Sequence, residues 1–127
     1  MQNKLLLTIL RSALLLATLI SASSVYSAEV LKFTTRGMAY FVNGEFQPAL
    51  SLKRGVTYAI EVDTPGHPLW IKTMISAGQD DAYSQGVTGN GTSSGTITFT
   101  VPADAPSQLF YDCQVHPTMH GDINITN

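Results

Sequence analysis

Across residues 30–126, short runs of Val, Ile, Thr, Phe and Tyr are broken every few residues by Gly, Pro, Asn or Asp. No stretch there carries the apolar spacing of three and four residues that a packed helix needs, so the pattern specifies an all-β domain. Residues 57–62 alternate strictly, with Tyr58, Ile60 and Val62 opposite Thr57, Ala59 and Glu61. One face of that strand is therefore apolar and the other largely polar. Asn43-Gly44, between runs at 39–42 and 45–47, is a strong short hairpin signal. Thr64-Pro65-Gly66-His67-Pro68 must be a loop, because two prolines and a glycine do not fit a central strand. Further strands are expected at 30–34, 50–52, 69–73, 96–101, 109–113 and 122–126. The glycine-rich connection 74–95 holds one weak strand or turn. The expected architecture is a Greek-key β-sandwich of seven to eight strands.

The first quarter of the 127 residues stands outside this pattern. Lys4 opens a segment, 5–20, that is almost all Leu, Ile, Ala and Thr, interrupted by Arg11, and Ser21-Ala22-Ser23-Ser24 follows. This is the charged start, apolar middle and small-residue end of a secretory leader. Cleavage after Ser27 sets Val25 and Ser27 at the two positions that must be small. The apolar run, about 16 residues with Arg11 near its middle, falls short of the roughly 20 that a membrane span requires. The expected division is a leader at 1–27 and one domain at 28–127, secreted or periplasmic, monomeric and without a membrane span. Losing Lys4 and Arg11 leaves five Lys/Arg against nine Asp/Glu, a net charge of −4. No basic patch remains to follow a phosphate backbone, which excludes nucleic acid as a partner.

Cys113 is the single cysteine, so the exported domain has no internal disulfide. A free thiol in an oxidising compartment is a liability unless it is buried or bound. It opens the segment Cys113-Gln114-Val115-His116-Pro117-Thr118-Met119-His120-Gly121, which joins the last two strands. A thiolate, an imidazole and a thioether this close together form a donor set that favours copper over magnesium or calcium. Cysteine with two histidines and a weak axial methionine is the type 1 copper arrangement. The loop offers Cys113, His116 and Met119, and His67 is the candidate outside the loop for the second imidazole. Each residue also has a plain alternative: Cys113 as a small buried hydrophobe, His67 as a surface histidine, Met119 as core packing. His120 is read as a rim residue, or as the replacement if His67 lies elsewhere. Three histidines and one cysteine can build one copper centre and not two, so no copper enzyme is expected.

With these residues in place, the domain resembles the cupredoxins. The C-x2-H-x2-M spacing, with Pro117 after His116, is similar to the short ligand loop of the amicyanins. The resemblance implies that the first histidine comes from a loop before a mid-chain strand, as His67 does. It implies that the other ligands precede the final strand, as Cys113, His116 and Met119 do. It also implies one copper per chain, alternating between Cu(I) and Cu(II), in a one-electron carrier serving a redox protein donor and acceptor. Two positions depart from the family. Pro68 stands where an Asn side chain usually ties the two ligand loops together. Asp112 stands before the cysteine, where an aromatic residue or His is common; it either acts on the potential from close by or points to solvent. The rival functions are a copper carrier or scavenger using the same ligands and a metal-free ligand-binding sandwich.

Overall fold

The computed structural model describes residues 28–127; the leader expected at 1–27 lies outside the described residues. Ten strands follow one another: β1 (Glu29–Arg36), β2 (Ala39–Val42), β3 (Glu45–Phe46), β4 (Leu50–Lys53), β5 (Thr57–Asp63), β6 (Leu69–Lys72), β7 (Val87–Thr88), β8 (Ser94–Thr100), β9 (Gln108–Cys113) and β10 (His120–Thr126). No helix occurs among the described residues. The count exceeds the seven to eight expected. Two of the strands, β3 and β7, are two-residue pieces hydrogen-bonded to the two edges of one sheet. Two residues carry no readable alternation, so only pairing with a neighbour reveals them.

The strands form a six-stranded sheet, ordered β3-β2-β1-β5-β8-β7, and a four-stranded sheet, ordered β4-β10-β9-β6. Both are mixed: β1 runs parallel to β5, and β10 parallel to β4, with the other pairs antiparallel. Period-two alternation builds the core between them. Tyr58, Ile60 and Val62 of β5 are buried, as are Leu31 and Phe33 of β1 and Ile97 and Phe99 of β8. The facing sheet supplies Leu50, Leu52, Leu69, Ile71, Leu109, Tyr111, Ile123 and Ile125. The hairpin signal is realised: Asn43 and Gly44 both take positive φ, 49° and 85°, as a two-residue turn matched to strand twist requires.

An aromatic cluster fills the core on the side that will carry the site. Phe33 lies edge-on to Tyr111 at 5.1 Å and to Tyr40 at 6.0 Å between ring centroids. Both phenols are satisfied at their tips, Tyr111 by the Pro48 carbonyl at 2.7 Å and Tyr40 by the His67 carbonyl at 3.0 Å. Gly121 faces the Tyr111 ring so closely that a Cβ there would lie 2.1 Å from ring atoms. A glycine two residues after Met119 is thus a packing requirement of Tyr111.

Register fixes where the loops emerge. Leu69 at the start of β6 pairs with Cys113 at the end of β9, and β10 opens at His120 opposite Asp112. The loops 64–68 and 114–119 therefore leave the sandwich at the same end.

Candidate metal centre

Cys113 is placed by alternation along β9, where Leu109, Tyr111 and Cys113 all face the core. The loop after it is drawn tight by two backbone bonds: Cys113 N–H donates to the Met119 carbonyl at 3.0 Å, and Met119 N–H to the His116 carbonyl at 2.9 Å. His67 is placed by a turn. Pro65 and Gly66 occupy its central positions, Gly66 has φ 77°, and His67 N–H closes onto the Thr64 carbonyl at 2.9 Å. Proline first and a positive-φ glycine second are what a type II turn demands. The Thr64 hydroxyl, at 2.8 Å, and the Tyr40 hydroxyl both donate to the His67 carbonyl, so the residue is held from two sides.

Pro68 lacks the side-chain tie that an asparagine would give, yet the two loops are tied. Gln114 N–H donates to the Pro68 carbonyl at 3.0 Å, and Trp70 Nε1–H donates to Gln114 Oε1 at 3.0 Å. A backbone bond and an indole bond hold the two loops in place of the absent asparagine side chain.

The result brings His67, Cys113 and His116 together although 46 residues separate His67 from Cys113. Cys113 Sγ lies 3.8 Å from His67 Nδ1 and 3.9 Å from His116 Nδ1, and the two Nδ1 atoms are 3.2 Å apart. A hydrogen bond between the rings would explain the 3.2 Å separation but not the approach of the sulfur to both nitrogens. A first-row ion bonded at about 2.0 Å to nitrogen and about 2.3 Å to sulfur holds trigonal donors about 3.5 to 3.7 Å apart. The three observed separations bracket those values, and one thiol with two imidazoles suits copper by donor type. The residues present therefore fit such an ion.

Met119 is fully buried and faces inward. His120, the next residue, lies on the opposite face, half-buried, with Nδ1 2.6 Å from the Pro117 carbonyl. That hydrogen bond makes His120 a brace of the ligand loop, and it is not one of the three grouped donors. The expected separation of the two neighbours onto opposite faces is present, although His120 is less open to solvent than a free rim residue.

Asp112 does not point to solvent. It and Lys72 are both fully buried and form an ion pair at 3.2 Å, and Asp112 Oδ2 also accepts Ser76 N–H at 2.9 Å. Burial pushes the Asp112 carboxyl above its ordinary range, against the pull of the Ser76 and Lys72 hydrogen bonds and the charge of His120. Lys72 did not stand out in the sequence as a neighbour of the site. The signal available was its same-face position with Trp70 on a strand that pairs with the cysteine strand. Tyr40 keeps its proton, since burial first and the neighbouring Cys113 second raise its ionisation well above the usual phenol range.

No protein-family description matches the chain, and no curated protein does. Solved structures do. Rusticyanin from Thiobacillus ferrooxidans superposes with a TM-score of 0.57 at 20% identity, covering 80% of this chain and 80% of that one. Reduced rusticyanin gives 0.56 at 19%, covering 80% and 82%. McoA, a multicopper oxidase from Aquifex aeolicus, gives 0.51 at 15%, covering 80% of this chain but 27% of the oxidase. At these identities the likeness is one of fold.

Proposed function

We propose that this chain, a cupredoxin-like sandwich by fold, binds one copper ion through His67, Cys113, His116 and Met119 and carries one electron at a time. The observation that carries the reading is the convergence of one sulfur and two ring nitrogens within 3.2 to 3.9 Å. Rusticyanin is itself described as a copper protein, which supports the same reading. When bound, copper supplies a Cu(II)/Cu(I) couple. The chain's own residues do the rest. Cys113 provides the strong donor, and His67 and His116 hold the other two directions. Their loops are braced by Thr64, Tyr40 and the Gln114–Pro68 bond, so little has to move when charge changes. Buried Met119 offers a weak thioether that suits both oxidation states. The amicyanin likeness remains one of loop spacing.

One chain supplies all four donors, so the site needs no second copy. The leader at 1–27 supports action outside the cytoplasm, where a redox protein donor and acceptor would meet the domain. With a single cysteine and three histidines, the chain lacks donors for a second centre of the same kind, which supports a carrier over an oxidase.

Voltammetry tests the function. The copper-loaded protein is expected to give one reversible one-electron wave. Met119→Leu should move that wave to higher potential and keep the colour, because a weak donor to Cu(II) is lost. His120→Ala should keep the colour, since His120 is not among the grouped donors, and lower affinity only through the lost bond to the Pro117 carbonyl. Colourless Cu(I) binding with ready release and no reversible wave would instead support the copper carrier.

A further inference from the structure

The outer face of β9, opposite the metal ligands, holds a pair of charges that the proposed function does not use. Lys72 on β6 and Asp112 on β9 are fully buried in a domain with few other buried polar side chains. Segment 73–78 covers them, turning back from the end of β6 along β9. Ser76 meets the pair twice: its N–H donates to Asp112 Oδ2, and its carbonyl accepts from Lys72 Nζ. Two residues further, Gly78 N–H donates to the Gln114 carbonyl at 2.8 Å, directly on the ligand loop. Gln114 is the residue tied to Pro68 and Trp70.

A buried ion pair is a weak device for stability, because desolvating two charges offsets most of their attraction. This one is not even complete, since Asp112 Oδ1 and Ser76 Oγ are buried without hydrogen-bond partners among the described residues. Well-packed apolar residues could stabilise the fold at least as well. What they could not do is hold Ser76 by its backbone. We propose that Lys72 and Asp112 are positioning residues, a clamp that fixes segment 73–78 and, through Gly78 and Gln114, the ligand loop from Cys113 to Met119. The inference rests on the copper reading for its consequence, and on the metal-free chain for its mechanism.

Two double variants test it. Lys72→Met/Asp112→Leu removes the charges and the tether together. Lys72→Met/Asp112→Asn removes the charges but keeps an acceptor for Ser76 N–H. Amide exchange at Ser76 and Gly78 is measured on metal-free protein, with thermal unfolding, Cu(II) affinity and the visible spectrum measured alongside wild type. The leucine double is expected to unfold no earlier than wild type and yet to lose protection at both amides. It should bind Cu(II) about 10- to 100-fold more weakly, the usual loss when a residue supporting a ligand is removed, and with a shifted band. The asparagine double, which keeps an acceptor for Ser76 N–H but loses the Lys72 bond to the Ser76 carbonyl, should keep more protection and affinity than the leucine double and less than wild type. A folded leucine double with unchanged exchange and affinity overturns the clamp, and so does an asparagine double that keeps protection but loses affinity. If wild type itself takes up no copper, the functional reading fails, while the exchange data still decide whether the clamp exists.

Discussion

Replacing Cys113 with serine is expected to abolish the visible thiolate-to-copper band and to reduce Cu(II) affinity by more than about 100-fold. Losing a residue that merely supports a ligand costs about 10- to 100-fold, and Cys113 is the sulfur donor itself. The side chain is fully buried, with no solvent to substitute for it, and its Sγ is the atom that both His67 Nδ1 and His116 Nδ1 approach. Serine keeps the fold, because Cys113 N–H still reaches the Met119 carbonyl and β9 keeps its register with β6. Far-ultraviolet circular dichroism should therefore match wild type while the band disappears. A variant that remains blue would overturn the assignment, because the band could not then come from a cysteine thiolate, Cys113 being the single cysteine.

Lys72→Met alone is expected to destabilise the domain by about 3–5 kcal/mol, the range for removing one partner of a buried pair. Asp112 would remain fully buried with its charge uncompensated. For a domain of this size each kcal/mol moves the unfolding midpoint by roughly 4–8 °C, so a fall of about 12 °C or more should appear in thermal unfolding. The exposed pair Lys32–Glu61, 3.9 Å apart with side chains 69% and 54% accessible, is the internal comparison. Solvent screens it, and Lys32→Met should barely move the midpoint. A Lys72→Met midpoint equal to wild type would show that Asp112 is neutral in the fold or finds another partner.

Much of this arrangement was legible in residue order. Alternation along 57–62 gave a buried face that the structure repeats at Tyr58, Ile60 and Val62. The same rule, applied to two successive residues, separates buried Met119 from braced His120. His67 was legible because Pro65 and Gly66 force a loop there, and because the chain offers no other imidazole outside the cysteine loop. The Lys72–Asp112 pair was not. A period-two pattern says which face a side chain takes, but not whether a later segment folds over that face, and the groups of segment 73–78 that meet the pair, the Ser76 N–H and carbonyl, are backbone atoms with no signature in residue order. The tie at Pro68 was hidden for the same reason: its acceptor is a carbonyl, which every residue carries.

The measurement that bears most directly on the central claim is the visible spectrum of the purified protein during titration with Cu(II). The geometry of His67, Cys113 and His116 predicts an intense band that grows linearly and stops at one copper per chain, with the Cys113 thiol no longer titratable once it is complete. A protein that stays colourless past one equivalent, with its thiol still free, would contradict the copper site.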